Sequence, residues 1–445
     1  MSTVWSDSVE RGPDGALWVG GCDVRELAGE YGTPLYIVDQ KDFRRRAAAF
    51  RDHFAAAFGR FHGKVDVYYA GKAFLSSQVA RWMYDEDLCL DVASGGELEL
   101  ALRGGMPAKR IAMHGNNKSD QELRRALEVG VGRIVVDSLT EIAELELIAR
   151  DMGVTAPVMV RVTTGVHAGG HEYIATSHED QKFGLSLATG AALEALRLCH
   201  ASEHLTLLGI HTHIGSQILS LEAFEQSAER MLGLRADFMK ETGAEMPEVD
   251  LGGGYAIAYV NGATSLDPRE AAHAISDAVA KVLKKLDSPW PRFSIEPGRA
   301  IAGPAGMTVY RVGVVKHVEL EGGGQRQYVA VDGGMSDNMR TITYGADYTA
   351  TIASRLSDAE PAQSRVVGKH CESGDIVVRD VQLPHDISRG DLLAVPATGA
   401  YGRSMANNYN AVLRPPVVSV CNGRSRLLMR RDTLDDLLSW DVAPG

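Results

Sequence analysis

The sequence predicts an α/β protein, a (β/α)8 TIM barrel followed by a C-terminal all-β domain of the sandwich or barrel type. Two observations predict this arrangement. Between about Val65 and Pro297, short apolar runs alternate with longer stretches in which apolar residues recur every three or four positions, as in repeated strand–helix units. After Gly303 the helical periodicity fades, and β-rich segments separated by turn residues replace it.

Eight apolar runs of the first region are predicted to be buried strands, joined by seven amphipathic helices. That is the count of a closed (β/α)8 barrel. An open, doubly wound sheet could also hold eight strands, but it explains less well the polar residues that end the runs. The predicted strands are VDVYYA (65–70), LCLDVA (88–93), RIAMHG (110–115), RIVVDS (133–138), PVMVRV (157–162), LTLLGIHTH (205–213), EVDLGGG (248–254) and RFSIEPG (292–298).

The domain boundaries follow from the same change of pattern. Residues 39–304 are predicted to form the barrel, and residues 305–445 the β domain, which ends in a short helix near TLDDLLSW. Residues 1–38 are also strand-like and are expected to join the β domain. The β segments after the barrel are MTVYRVGVVKHVEL, RQYVAVDGG, SRVVGKHCESGDIVVRD, DLLAVPATGAY and PPVVSVCNG.

The composition excludes several function classes. The 445 residues carry 46 Lys and Arg against 58 Asp and Glu, a net charge of −12, and this acidity disfavours nucleic-acid binding. The five cysteines are scattered and form no CxxC pair, which disfavours a disulfide framework or a structural zinc site. No export signal and no apolar run of membrane-spanning length is seen. We therefore expect a cytoplasmic protein with neither a membrane nor a nucleic acid as partner.

Polar side chains end several of the predicted barrel strands, where catalytic groups of this fold lie. Lys72 follows the first strand and is a candidate for a Schiff-base amine. His114 ends the third strand, and HTHIGSQ places His211 and His213 on one face at the end of the sixth, with Ser216 just beyond. The His-x-His pair could bind a metal, but no further ligands can be assigned, and an imidazole facing an organic cofactor is at least as plausible.

The last two strands end in groups suited to an anion. Three glycines, Gly252–Gly254, end the predicted seventh strand, where backbone N–H groups could converge on an anion without obstruction by a side chain. The eighth strand ends in Glu296, followed by Gly298 and Arg299, at the usual phosphate position of these barrels. An amine, an imidazole, an anion site and a carboxylate together match the needs of pyridoxal phosphate.

Nine motifs are spread over a resemblance that runs from about Gly32 to Leu438: YYAGKAF, HGNNK, HEDQKFG, HTHIGSQ, DLGGG, EPGRAIAGP, DGGMSDNMR, HCESGD and ATGAYGRSM. In this order they closely resemble those of the diaminopimelate decarboxylases, which are fold type III, alanine-racemase-like pyridoxal-phosphate enzymes. The resemblance implies decarboxylation of meso-2,6-diaminopimelate at its D-configured centre to L-lysine and CO2, the last step of lysine synthesis.

The same resemblance implies roles for individual residues around the cofactor. Lys72 would attach the cofactor covalently, His213 would stack on its ring and act in catalysis, and Glu296 would pair with the pyridine nitrogen. The remaining implied cofactor contacts are Ser216, Gly253, Gly254, Gly298, Arg299 and Tyr401.

For the substrate, the resemblance implies that Cys371 protonates the carbon that has lost CO2. The HCESGD strip would come from the neighbouring subunit of a head-to-tail homodimer. The implied substrate contacts are Arg299, Arg340, Tyr344, Glu372 and Tyr401.

Two alternatives remain open on the residues alone. One is a decarboxylase of another basic amino acid, such as ornithine or lysine; the other is a catalytically silent relative that binds pyridoxal phosphate. Arg299, Arg340 and Glu372 favour diaminopimelate, because its second amino-acid group needs a guanidinium for the carboxylate and an acid for the ammonium. Two departures from the family pattern, at Gly169-Gly170 and Gly402-Arg403, bear on loop behaviour rather than on the reaction.

Overall fold

The computed structural model describes residues 4–166 and 182–442, and the chain divides into two compact units. One comprises Met1–Arg45, Ile257–Thr264 and Arg299–Gly445, and the other comprises Arg46–Ala256 and Ser265–Gly298. The Gly169-Gly170 departure lies outside the described residues. The domain boundaries at residues 39 and 304 stay predictions.

The strands are numbered in chain order. They are β1 (Glu10–Arg11), β2 (Leu17–Val19), β3 (Cys22–Asp23), β4 (Leu35–Asp39), β5 (Lys64–Ala70), β6 (Cys89–Val92), β7 (Ile111–Met113), β8 (Arg133–Val136), β9 (Ala156–Thr163), β10 (Leu185–Ser186), β11 (Leu205–His211), β12 (Glu248–Asp250), β13 (Arg292–Ile295), β14 (Gly306–Glu319), β15 (Gln325–Val331), β16 (Thr351–Ile352), β17 (Pro361–Val367), β18 (Ile376–Pro384), β19 (Leu392–Pro396), β20 (Val417–Cys421) and β21 (Arg424–Met429).

The helices are numbered in the same way. They are α1 (Val24–Tyr31), α2 (Gln40–Gly59), α3 (Ser77–Asp85), α4 (Gly95–Arg103), α5 (Asp120–Val129), α6 (Leu139–Met152), α7 (Ala191–Ala201), α8 (Leu221–Thr242), α9 (Pro268–Lys285), α10 (Arg299–Ala302), α11 (Arg340–Tyr344) and α12 (Leu434–Leu438). Among the described residues, no helix combines the length and the apolar character needed to span a membrane.

The predicted barrel is confirmed. Its eight strands pair in parallel in the order β5-β6-β7-β8-β9-β11-β12-β13, and β13 pairs back onto β5 to close the ring. All eight predicted strands are present, most of them shorter than predicted, and α3 to α9 are the seven predicted helices. Closure brings the carboxyl ends of all eight strands to one rim, and this rim positions the polar groups described below.

Serine residues start many of the barrel helices. The hydroxyl groups of Ser76, Ser94, Ser119, Ser138 and Ser220 each accept a hydrogen bond from a backbone N–H in the first turn of the helix that follows. This N-cap interaction satisfies a donor that the helix itself leaves unpaired, and it is worth about 1 kcal/mol. The caps therefore set where these five strand-to-helix connections end.

Helix α2 is not one of the seven helices predicted from the sequence. Its buried side chains Phe50, Phe54 and Phe58 recur every four residues, which is the helical period, so the signal was available in the sequence. Phe50 and Phe54 pack edge-on against the buried ring of Tyr255. The helix covers apolar surface of the barrel unit.

The unit that contains Arg299–Gly445, called the β unit below, is built on a mixed sheet of nine strands, as the predicted β domain requires. The main order is β18-β17-β15-β14-β4-β20-β21, with β19 pairing both β14 and β16. The N-terminal strand β4 lies between β14, to which it is antiparallel, and β20, to which it is parallel. Side chains of β2, β4, β14, β19 and β20 share one apolar core. The predicted short helix near the C-terminus is α12.

Candidate active site

Three buried polar side chains meet at the carboxyl rim of the barrel. His114 follows β7, His211 ends β11 and Glu296 follows β13, and each is less than a tenth exposed. These strands are not neighbours in the barrel, so only its closure brings their ends together. Glu296 is thus the centre of a cluster and not an isolated carboxylate.

Each carboxylate oxygen of Glu296 lies close to the imidazole of a different histidine. His211 Nε2 lies 3.1 Å from Oε2, and His114 Nε2 lies 3.1 Å from Oε1. The ligand atoms of the three side chains lie within 4.8 Å of one another, a set that could also hold a metal ion. The His211 contact has the geometry of a hydrogen bond, whereas the His114 contact is a close approach of the imidazole to the carboxylate that is not aligned as a hydrogen bond.

The charges in this cluster follow from these contacts. Burial alone would raise the pKa of Glu296, but His211 and His114 outweigh it and hold that pKa well below its ordinary value. Burial lowers the pKa of His211. Burial also acts to lower the pKa of His114, yet Asp91 and Glu296 reverse the direction and raise it. Burial raises the pKa of Asp91 itself to about 6. Glu296 is therefore ionised at neutral pH.

The glycine turn after β12 fits its neighbours only without side chains. A Cβ at Gly252 would lie 2.2 Å from the Thr212 carbonyl oxygen, and one at Gly253 would lie 2.1 Å from that of Glu296. The Gly253 N–H donates to His213 Nδ1 at 3.3 Å. That N–H group orients the imidazole, and the close approach of the Gly253 backbone to its neighbours is possible because the residue has no side chain.

His213 is suited to stack as a neutral ring. Burial, with help from the nearby charges of Lys72 and Arg161, lowers its pKa well below the ordinary value. Its Nδ1 accepts the Gly253 N–H, which requires an unprotonated nitrogen at that position. Ser216 lies three residues further along the same connection and is partly buried.

The barrel residues fit pyridoxal phosphate. Lys72 follows β5 in a single 3₁₀ turn and is exposed to solvent, so its amine is accessible. Glu296 Oε1 is buried and makes no well-aligned hydrogen bond among the described residues, so it can accept one from a protonated pyridine nitrogen. Gly298 is also close-packed, because a Cβ there would lie 2.8 Å from that of Ala70. Amine, carboxylate and glycine turns are the groups the cofactor needs.

The β unit brings two of the predicted substrate arginines together through a tyrosine. Arg340 is buried and lies over the ring of Tyr259 at 4.5 Å, while its Nη1 donates to Tyr348 Oη at 2.6 Å. Arg299 Nη1 donates to Tyr259 Oη, and the guanidinium lies 4.6 Å from the ring centre of Tyr401. Cation–π and hydrogen-bond contacts thus orient both guanidinium groups.

Tyr401 has an unusual backbone conformation. Its φ of +59° lies in the left-handed region, which side-chain-bearing residues seldom adopt. Such strain is common at functional positions, because the surrounding structure must hold it. The following residue, Gly402, is buried, and a Cβ there would lie 2.7 Å from the Thr398 carbonyl oxygen. This contact explains why glycine stands at the Gly402 departure.

Among the described residues, the side chains of the other predicted substrate residues make no hydrogen bond, ion pair or ring contact with this arginine–tyrosine cluster. Cys371 and Glu372 are exposed on the turn between β17 and β18, where Glu372 Oε1 accepts the Gly374 N–H at 3.3 Å. Tyr344, at the end of α11, is partly exposed. It is Tyr348, four residues later, that binds Arg340. Within the described residues of one chain, Glu372 makes no ion pair with a guanidinium.

Sequence reasoning missed several of these residues. Tyr259, Tyr348 and Asp91 have no motif of their own and become visible only through their contacts. A weak signal for Tyr259 was available, because GGGYAIAYV is a tyrosine-bearing apolar stretch directly after the glycine turn. Nothing in the sequence around Tyr348 distinguishes it from Tyr344.

A buried ion pair lies beneath the rim. Arg133, at the start of β8, donates from Nη2 to Asp250 Oδ2 at 2.6 Å and to Ser294 Oγ at 3.0 Å. The other oxygen of Asp250 accepts the Gly252 N–H at 2.8 Å. The pair therefore supports the glycine turn from below.

Arg133→Met is expected to lower the free energy of unfolding by about 3–5 kcal/mol, because it leaves the Asp250 carboxylate buried without its cation. Urea unfolding followed by circular dichroism measures the loss. Arg292→Met removes a more exposed pair with Asp66 and serves as the control, with an expected loss below about 1 kcal/mol. Equal losses in the two variants would contradict the prediction.

Comparison with known proteins places this site in a family. The chain is 50% identical over 443 residues to diaminopimelate decarboxylase of Mycobacterium tuberculosis strain H37Rv, with 99% of this chain and 98% of that protein covered. The chain belongs to the diaminopimelate decarboxylase family. The diaminopimelate decarboxylase of Bacillus subtilis is 44% identical, with 96% of this chain and 95% of that protein covered.

Further comparisons agree with the family and with the cofactor. The crystal structure of diaminopimelate decarboxylase from M. jannaschii in complex with L-lysine superposes with a TM-score of 0.90 at 31% identity, covering 99% of this chain and 98% of that one. Residues 40–303 match the model of the pyridoxal binding domain of pyridoxal-dependent decarboxylases. The cofactor of this chain is pyridoxal phosphate, and the resemblance seen in the sequence motifs is confirmed.

Proposed function

We propose that this chain decarboxylates meso-2,6-diaminopimelate to L-lysine and CO2 with pyridoxal phosphate. The observation that carries the proposal is the ionised, buried Glu296 at the barrel rim, together with the exposed amine of Lys72. The cofactor, when bound, supplies an electron sink for the charge that loss of CO2 leaves on Cα. The chain's own residues provide what this chemistry requires.

In the barrel, the proposed roles are those of attachment and orientation. Lys72 is the covalent attachment point, and His213, oriented by the Gly253 N–H, packs its neutral ring against the cofactor. Glu296 holds a proton at the pyridine nitrogen, since an ionised carboxylate favours the protonated base. The glycine turns, with Ser216 and Arg299, bind the phosphate.

For the substrate, we propose that Arg299 and Arg340 bind carboxylate, as their oriented guanidinium groups suit. Tyr344 and Tyr401 are proposed further contacts, and Glu372 is proposed to bind the distal ammonium. Cys371 Sγ would then donate the proton that Cα requires after CO2 has left.

We also propose that the enzyme is a homodimer with shared sites and works in the cytoplasm. The exposed turn that carries Cys371 and Glu372 supports the first point, because these residues are accessible to a second subunit. The cysteines of the described residues are unpaired, as in a reducing compartment.

Purified protein supplied with pyridoxal phosphate is expected to release CO2 from meso-diaminopimelate and to form L-lysine. The same assay with L-ornithine, L-lysine and D-lysine tests the alternatives, because these substrates lack the second carboxylate that the arginines would bind. Faster CO2 release from ornithine than from diaminopimelate would overturn the proposed substrate. Absence of release from every substrate would favour a silent relative.

A further inference from the structure

The proposed function assigns no role to His114 or His211, although they contact the carboxylate at its centre. His211 is 1% exposed and His114 7%. Their rings lie 4.9 Å apart at 72°, so the two imidazoles approach Glu296 from different directions. Each contacts a different oxygen at 3.1 Å. The plane of the carboxylate is thus determined by two side chains from two non-adjacent strands.

The two histidines are not equivalent. His114 Nε2 lies 3.9 Å from Asp91 Oδ1 in addition to its contact with Glu296, so it is placed between two carboxylates. His211 has no second acid at such a distance among the described residues, and its Nδ1 makes no hydrogen bond there. His114 is suited to carry positive charge, and His211 to donate as a neutral imidazole through Nε2–H.

Packing alone does not account for this arrangement. A buried carboxylate without a partner would be strongly disfavoured and would take up a proton. A protonated Glu296 could not act as the counter-charge of a pyridinium. The two histidines supply the contacts that keep Glu296 an anion while part of Oε1 remains available, since that atom makes no well-aligned hydrogen bond within the described chain.

We propose that His114 and His211 are positioning residues for the cofactor: together they hold the Glu296 carboxylate ionised and correctly oriented to keep the pyridine nitrogen protonated. This inference rests on the proposed role of Glu296 toward pyridoxal phosphate. Neither histidine needs to touch the cofactor or the substrate. Both act through Glu296.

The test compares substitutions that keep or remove the donor. His211→Phe and His114→Phe retain a ring but lose the nitrogen, whereas His211→Gln keeps an N–H near the position of Nε2. The holoenzyme is reconstituted with pyridoxal phosphate labelled with ¹⁵N in the ring, and the ¹⁵N chemical shift reports whether the pyridine nitrogen is protonated. His273→Phe, at an exposed position on α9, is the matched control.

We expect the ¹⁵N shift of each Phe variant to move toward the unprotonated value, and kcat to fall by about tenfold to a hundredfold with little change in KM. His211→Gln is expected to retain most of the wild-type ¹⁵N shift and kcat, and His273→Phe to change neither of these two quantities. Circular dichroism checks that each variant is folded; should a Phe variant not fold, the Leu and Met variants at that position, which also lack the nitrogen, take its place in the same comparison.

An unchanged ¹⁵N shift in folded variants at both positions would overturn the inference. So would a loss of kcat that His211→Gln does not relieve, because a merely structural role would be insensitive to the donor. Failure of the proposed function gives a different result, since the wild-type protein would then bind no pyridoxal phosphate or release no CO2 from diaminopimelate.

Discussion

Lys72→Ala is expected to abolish decarboxylation of meso-diaminopimelate, with kcat reduced by roughly 10⁴-fold or more, while the protein remains folded. The amine is the only group proposed to attach the cofactor covalently. Its side chain makes no hydrogen bond or ion pair with another described residue, and it is exposed on a 3₁₀ turn, so truncation removes little that stabilises the barrel. The structural cost should therefore be small beside the catalytic one.

Two measurements check the Lys72 prediction. The visible absorbance of lysine-bound cofactor should disappear from Lys72→Ala, and the far-ultraviolet circular dichroism spectrum should match that of the wild type. Lys285→Ala, which removes an exposed lysine that pairs with Glu229, is the control and should retain both absorbance and turnover. Turnover that persists in Lys72→Ala would refute the covalent role of this residue.

Cys371→Ala is expected to lower kcat by about 10²–10⁴-fold while leaving the lysine-bound cofactor intact. The thiol is proposed to donate one proton after CO2 has left, and it lies on an exposed turn where its removal costs little packing. The absorbance of the bound cofactor should therefore stay at the wild-type level in this variant while the turnover rate falls. Cys421→Ala is the control. Near wild-type turnover in Cys371→Ala would exclude the proton-donor role.

The same two variants test whether the active sites are shared between subunits. Lys72→Ala and Cys371→Ala proteins, each inactive alone, are mixed under conditions that exchange subunits. About a quarter of the wild-type activity should return, because about half of randomly assorted dimers are mixed and each of these holds one intact site. No recovery, with subunit exchange demonstrated, would contradict a shared site.

Much of the barrel and its chemistry could be read from local pattern. Strand and helix periods are properties of a few neighbouring residues, and each strand ends in a short motif such as DLGGG or EPGR whose residues act close to where they stand in the chain. Lys72, His213 and Glu296 were recognisable for this reason. Helix α2 was also within reach, since its phenylalanines have the helical period.

Contacts between segments that are distant in the chain could not be predicted from local pattern. His114 and His211 were visible as polar strand ends, but their pairing with Glu296 depends on the closure of the barrel, which brings β7, β11 and β13 together. Tyr259 and Arg340 lie 81 positions apart in the numbering and meet only in the folded unit. Arg340 donates to Tyr348, which the chain reaches only after α11 has ended at Tyr344 and Gly345 has adopted a left-handed conformation.

The sequence by itself determined the fold class, the family and the identity of the cofactor, because each is encoded in periodicity and in short motifs. The tertiary structure alone decided the charge states: Glu296 is an anion, His213 is neutral, and His114 differs from His211. The physical reason is that a pKa depends on burial and on the charges within a few ångströms, and these neighbours come from strands far apart in the chain.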